Sequence, residues 1–490
     1  MRMKLTAGLI AAVAAALATA VPAAAFTPPN QYYAKQWYLG FVNAFSAWQT
    51  PPTGLAPVKV AIIDSGVDCS LPDFAGRIAA KRSFVGGSAC TDTVGHGTIV
   101  AGEIAGDLGT NGIVGIAYNA QLVVAKVVRP DETVPLAAEA AAIRWAANQG
   151  ARVINLSFGA VRDPRNRAID SYSAREANAV AYAYSKGAVI VAAAGNSDEA
   201  SATTWPWADY PAALPHVIGV AALDQSGNVP SFSDRDPRYV DLAAPGVAMF
   251  STFPAALTAL RPSCTPQGYT ACANPEYSSP EGTSFAAPQV SAAAAVLFSL
   301  DPSLTNSQVR TILEQTATDV TAATGCPVCP VGHDEYSGWG SLDVANAVAA
   351  LSKQLPVQDR YEPNDDVSLA KQLWGRQRSF RATLSYYNDP IDVYSVLLRK
   401  GQQIKVRADA SWSGARFRLI LWRPGTRTVL GHVLLRKRAA ASVRPGQREH
   451  VLFRARSKGW YYVELKVTAP GGGSYTMQLT KTPPPKAKHS

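Results

Sequence analysis

Five short apolar runs most constrain what this chain can fold into: Val58–Ile63, Leu122–Val128, Val153–Leu156, Ala188–Ala194 and Val217–Ala222. They lack the apolar–polar alternation of a strand with one wet face. Runs of this kind suit strands buried on both sides, as in a parallel sheet covered by helices. Between them lie His96–Ala105, Pro135–Gln149 and Arg175–Ser185, which have helical spacing. The pattern predicts an α/β fold. In open parallel sheets, ligands bind beyond the carboxyl ends of the strands, so the residues just after each run carry most weight.

The pattern changes after residue 352. Lys353–Arg360 is polar and contains Pro356, which reads as a linker. Beyond it Ile391–Leu398, Gln403–Ala408 and Phe417–Trp422 are strand-like, separated by Lys400-Gly401 and Arg423-Pro424-Gly425 turns. The segments Gly459–Thr468 and Tyr475–Thr480 flank Ala469-Pro-Gly-Gly-Gly-Ser474 and predict a closing hairpin. A small all-β sandwich over 361–482 follows, with a disordered tail at 483–490. Charge divides the same way. Residues 1–352 carry 20 Lys/Arg against 27 Asp/Glu, a net of −7, and residues 353–490 carry 26 against 9, a net of +17. The basic module therefore predicts contact with an anionic surface or polymer. Its charges are spread over several strands with no nucleic-acid motif. The chain is expected to be a monomer.

Arg2 and Lys4 precede an Ala-rich run from Leu5 to Val21, then Ala23-Ala24-Ala25. That is the layout of a secretory signal peptide over 1–25; the alternative, a membrane anchor, would need a longer and more apolar run. Ser291–Leu300 is apolar but short and reads as a buried helix. Export to an oxidising compartment makes disulfides the expected state of the six cysteines, Cys69, Cys90, Cys264, Cys272, Cys326 and Cys329. Proximity suggests Cys264–Cys272 and Cys326–Cys329, leaving Cys69–Cys90. A zinc site at Cys326, Cys329 and His333 is the alternative, but it lacks an obvious fourth ligand.

Four residues stand at predicted element edges. Asp64 ends the first run. His96 opens a helix between two glycines. Asn196 follows the fourth run in Ala193-Ala-Gly-Asn196. Ser284 opens an apolar helix in Glu281-Gly-Thr-Ser-Phe-Ala-Ala-Pro288. Singly, each has a bland reading: a turn carboxylate, a structural histidine, a turn asparagine, a helix N-cap. Together they supply the orienter, base, oxyanion donor and nucleophile that acyl transfer needs.

Here the strings Val60-Ala-Ile-Ile-Asp-Ser-Gly-Val67, Gly95-His-Gly-Thr-Ile-Val-Ala-Gly102, Ala192-Ala-Ala-Gly-Asn196 and Gly282-Thr-Ser-Phe-Ala-Ala-Pro288 resemble the subtilisin-like serine proteases. Asn155-Leu-Ser-Phe-Gly159, Asp241-Leu-Ala-Ala-Pro-Gly246 and Gly338-Trp-Gly340 support the likeness. The resemblance implies a catalytic domain within 26–352 and a secreted serine endopeptidase. Its triad would be Asp64, His96 and Ser284, with Asn196 in the oxyanion hole. It implies that Ser157, Phe158 and Gly159 pair with the substrate backbone. Ala193, Ala194 and Gly195 would wall the S1 pocket, with Asp209 at its base before Tyr210-Pro211. No cofactor is implied for the chemistry. A structural calcium would be held by Asp73 and Gln31 with carbonyls of the Gly109–Ile113 loop. The segment from Tyr361-Glu-Pro-Asn-Asp365 to Tyr475-Thr-Met-Gln-Leu479 resembles a bacterial pre-peptidase C-terminal domain. The competing function is a surface- or polymer-binding protein whose protease fold is vestigial.

Overall fold

The computed structural model describes residues 26–48, 56–196, 205–258, 268–273, 277–353, 359–430, 433 and 435–483. The predicted signal peptide, the centre of the predicted linker, nearly all of the predicted tail, and Cys264 with its suggested bond to Cys272 lie outside the described residues.

The first module is built on a sheet of seven strands: β1 (Lys59–Asp64), β2 (Ile78–Ser83), β3 (Gln121–Lys126), β4 (Val153–Leu156), β5 (Val189–Ala193), β6 (Val217–Leu223) and β7 (Leu242–Pro245). Their order is β2-β3-β1-β4-β5-β6-β7, and every pairing is parallel. Successive side chains of β1 serve two cores. Val60 and Ile62 join one cluster with Ile99, Phe285 and Val290, whereas Ala61 and Ile63 join another with Ile143 and Ile154. Each fully buried Val or Ile contributes roughly 1.5–3 kcal/mol, so both faces of β1 stabilise the sheet.

The helix Thr283–Leu300 runs through the first core; among the described residues it alone is long and apolar enough to cross a membrane, and 89% of it is buried. It is the hub of this module. The seventh strand, β7, is extended backbone that ends in Pro245, and β2 is an edge strand with exposed Lys81 and Arg82.

The second module stacks two sheets. One has the order β13-β12-β15-β10-β8, with β8 (Lys371–Gln372), β10 (Ile391–Leu398), β12 (Phe417–Trp422), β13 (Arg438–Ala441) and β15 (Gly459–Val467). The other is β14-β11-β16-β9, with β9 (Gln377–Ser385), β11 (Gln403–Ala410), β14 (Arg448–Arg454) and β16 (Gly472–Thr482). Tyr394, Val396, Ile404, Val406, Val463, Leu465, Met477 and Leu479 fill the space between them. The fold is thus α/β followed by a β-sandwich. The expected closing hairpin is not formed. β15 pairs with β10 and β12, and β16 pairs with β11 and β9. The intervening Thr468–Gly471 stretch carries the chain from one sheet to the other, because both strands have inward apolar residues that only the inter-sheet core can bury.

Candidate active site

Asp64, the last residue of β1, is 1% exposed. Its Oδ1 and Oδ2 lie 2.9 and 3.0 Å from Nδ1 of His96, and the Ser65 N–H donates to Oδ1 at 2.7 Å. The close approach depends on Gly97. A Cβ there would stand 2.2 Å from the Gly66 carbonyl oxygen and 3.0 Å from Asp64 Oδ1, so only glycine lets the helix His96–Ala105 start against the end of β1.

Asp92 holds that helix start. Its Oδ1 accepts from the Gly95 N–H at 2.8 Å and its Oδ2 from the Thr98 N–H at 3.0 Å and hydroxyl at 2.7 Å. The Ser65 hydroxyl donates to Asp92 Oδ1 at 2.9 Å and accepts from the Gly97 N–H at 2.9 Å. A chain of hydrogen bonds therefore joins the β1 end to the helix. The sequence reading missed Asp92; a carboxylate just ahead of a helix start is the signal that would have found it.

Burial alone would push the His96 imidazole down. The adjoining Asp64 carboxylate outweighs this, with Asp92 and Glu132 adding to it, and holds the group above its ordinary value of 6.5.

Ser284 is the second residue of its helix, not the N-cap, which is Gly282. Gly282 has φ of 150°, and a Cβ on it would stand 3.1 Å from Ser284 Oγ and 3.5 Å from Asn196 Nδ2. The hydroxyl and the amide thus face one small open space. The Thr283 N–H and hydroxyl both donate to Asn196 Oδ1 at 2.9 Å, which turns Nδ2 toward that space. Thr283 is the second positioning residue the sequence reading passed over. His96, Asn196 and Ser284 line one cleft of about 550 Å³. A hydroxyl at a helix N-terminus, an imidazole fixed by a carboxylate and an amide donor in one cleft are the parts of acyl-transfer chemistry.

The same cleft is lined by Ser157, Phe158 and Gly159 on one side and Ala193 and Gly195 on the other; Ala194 is fully buried behind them. Asp209 lies between these walls. A Cβ on Gly159 would stand 2.8 Å from its Oδ2, and one on Gly195 would stand 3.0 Å from the same atom. Asp209 is 8% exposed, so its carboxylate is turned inward and away from bulk solvent.

Cys69–Cys90 and Cys326–Cys329 are disulfides. The second removes the zinc alternative, since both sulfurs are consumed. The first closes 21 residues and ties the loop after Asp64 to the loop before His96. Replacing Cys69 and Cys90 by Ser is expected to lower stability by about 3 kcal/mol through loop-closure entropy. A lower guanidinium midpoint with an unchanged slope is the expected record.

The residues expected to hold calcium do not fit one. Asp73 accepts from the Ile113 N–H at 3.0 Å and the Tyr269 hydroxyl at 3.1 Å, and Gln31 is exposed. The carbonyls of Asp107, Asn111 and Ile113 do converge, but on Nδ2 of Asn30, at 2.8, 3.0 and 2.8 Å. A calcium ion would need its oxygens at about 2.3–2.6 Å from its own centre. Here an amide fills the centre.

The subtilase family (Peptidase S8) matches residues 56–340. Among curated proteins, subtilisin DY of Bacillus licheniformis is 37% identical over 293 residues, covering 60% of this chain and 91% of that protein. Subtilisin BL of Lederbergia lenta is 36% identical over 285 residues, covering 58% and 91%. A solved structure of a protease from Pseudoalteromonas arctica aligns with a TM-score of 0.54 at 25% identity, covering 67% of this chain and all of that one. The matched span holds all seven parallel strands and the cleft at their carboxyl ends. The chain belongs to the subtilase family and is a serine endopeptidase.

Proposed function

We propose that the chain is a secreted endopeptidase whose catalytic residues are Asp64, His96 and Ser284, assisted by Asn196. The observation that carries this is the shared open space between Ser284 Oγ and Asn196 Nδ2, in the cleft that His96 also lines. Ser284 Oγ attacks the peptide carbonyl carbon while His96 Nε2 takes its proton. The Ser284 N–H and Asn196 Nδ2 hold the oxyanion of the tetrahedral intermediate. Its collapse breaks the C–N bond, and His96 returns the proton to the leaving amine. Water, deprotonated by His96, then releases the acyl group from Ser284. Asp64 keeps the proton on Nδ1 and stabilises the imidazolium. No step calls on a cofactor. A fluorophosphonate probe should label the wild type and leave Ser284→Ala unlabelled. Equal labelling of both would refute the assignment.

A base must be neutral to accept a proton. Because His96 is held above 6.5, the acid limb of kcat/KM should have its midpoint above that pH, with rate lost as pH falls through it. Glu132→Gln removes one of the charges that raise it, so the limb should move toward lower pH. A pH–rate profile of both proteins checks this.

Asp209 gives S1 a preference for basic residues. A substrate Arg or Lys brings a cation to its carboxylate in a largely dry pocket, whereas Phe brings none. The ratio of kcat/KM for Arg over Phe at P1 should fall about 100-fold in Asp209→Ala. Equal turnover of both peptides by the wild type would sink the assignment. Ser157, Phe158 and Gly159 would align the substrate backbone as an added strand.

The division into a leader (1–25), a catalytic module (26–352), a linker (353–360), a sandwich (361–482) and a tail (483–490) belongs to the same proposal. So does export, which suits the two disulfides. The exposed face of the β14-β11-β16-β9 sheet carries Arg381, Lys405, Arg407, Arg448 and Arg454. It would hold the monomeric enzyme to an anionic surface or polymer by charge, and less tightly as salt rises.

A further inference from the structure

Three carboxylates line the active-site cleft. Asp209 lies between the S1 walls, Glu281 stands just ahead of the Ser284 helix, and Glu132 lies in the turn after β3. Among the described residues that line the cleft there is no lysine or arginine. A cleft lined by charge of one sign draws ligands of the other. Glu132 is set apart from S1, near enough to His96 to help raise its imidazole.

The strand order β3-β1-β4-β5 fixes how the walls follow one another at the carboxyl edge of the sheet. The S1 walls, Ser157 to Gly159 and Ala193 with Gly195, come after β4 and β5. Asp64 and His96 stand at the end of β1. Glu132 comes after β3, on the far side of β1 from S1. An extended peptide aligned along Ser157, Phe158 and Gly159 turns successive side chains to opposite sides. With the P1 side chain directed into S1, the P2 side chain turns back toward β1, where His96 and Glu132 form the wall.

The turn that carries Glu132 is well fixed. The Arg129 N–H donates to the Thr133 carbonyl at 3.0 Å, and the Glu132 N–H donates to the Arg129 carbonyl at 3.0 Å. The neighbouring Asp131 carboxylate is spent on Thr133, accepting from its N–H at 3.2 Å and its hydroxyl at 2.6 Å. The Glu132 side chain is exposed and has no hydrogen bond or ion pair among the described residues. Its φ of 62° is a left-handed conformation that glycine or asparagine adopts more easily. The turn therefore gains nothing from a glutamate, whereas the cleft gains an unpaired negative charge.

We propose that Glu132 is a specificity residue for P2, so that the preferred substrates carry two consecutive basic residues immediately before the scissile bond. This rests on the reading of the cleft as the active site with Asp209 in S1. A P2 Arg or Lys meets a carboxylate that has no partner to give up, and an acidic P2 residue is repelled.

The test is a P2 series on the full chain, run above the acid limb of His96 so that its titration does not enter. Paired peptides carry Arg or its neutral isostere citrulline at P2, once with Arg and once with Phe at P1. In the wild type, kcat/KM for Arg should exceed that for citrulline by about 5-fold on both scaffolds, and added salt should shrink the ratio. The ratio should fall to near unity in Glu132→Gln and in Glu132→Gly, the second of which also relieves the left-handed backbone. Asp131→Asn should keep the wild-type ratio. A wild-type ratio near unity would overturn the proposal. So would a ratio that persists in both Glu132 variants or is lost in Asp131→Asn. Fluorophosphonate labelling separates the two levels: labelled protein with a flat P2 series overturns Glu132 alone, whereas unlabelled protein overturns the cleft assignment and the P2 proposal together. The P1 comparison in Asp209→Ala reads S1 independently of either.

Discussion

Ser284→Ala should lower kcat by about 10⁶-fold, the loss known for a triad serine in subtilisins. The reason lies in the coupling of the parts. Without Oγ there is no atom for His96 to deprotonate, so the imidazole and its Asp64 partner lose their task together. The acceleration that remains comes from the oxyanion donors and substrate binding, about 10³–10⁴-fold over water. His96→Ala should cost about as much, and the double variant hardly more. Single-turnover kinetics on one peptide, with titrated protein concentrations, measure all three. Additive losses would mean that the two residues work apart.

Asn196→Ala should reduce kcat by about 10²–10³-fold with little change in KM, the effect known for this donor in subtilisin. The hydrogen bond from Nδ2 forms fully only when the carbonyl oxygen moves into the open space beside Gly282, so the loss falls on the transition state and not on the bound substrate. Thr283→Ala offers a graded version. It removes one of the two 2.9 Å bonds that anchor Asn196 Oδ1 and leaves the N–H bond in place. Its kcat should lie between those of the wild type and Asn196→Ala. A KM effect in either variant that exceeds the kcat effect would reassign Asn196 to ground-state binding.

The core strands were legible because burial on both faces writes an uninterrupted apolar run: β1, β3, β4, β5 and β6 coincide with the five predicted runs to within a few residues. The edges were not. β2 exposes Lys81 and Arg82 and has no such run, and β7 is four residues ending in proline. In the sandwich, Ile391–Leu398 and Phe417–Trp422 were read to the residue. β9 and β14 escaped, since their outward arginines break the apolar signal: in β14 only Glu449 and Val451 are buried.

At the cleft, Asp64, His96, Asn196 and Ser284 could be picked out from their strings, and the structure places them at strand ends and helix starts around one site. Asp92 and Thr283 could not. Their roles are hydrogen bonds to backbone or to another side chain, and those depend on contacts far apart in sequence. The partners of Asp73 were hidden for a related reason. The string supplies the carboxylate and the loop, but what fills the ring of carbonyls is Asn30, which is 77 residues from Asp107.

That amide has a consequence for how the Asp107–Ile113 loop keeps its shape. An ion in the same place would be a free solute, present only in proportion to its concentration over its Kd. Asn30 is covalently tethered, so the carbonyls meet it at an effective concentration that dilution does not change. The loop packs beside Asp73 and the far end of the His96 helix, so Asn30 ties the segment ahead of β1 into the frame behind the cleft.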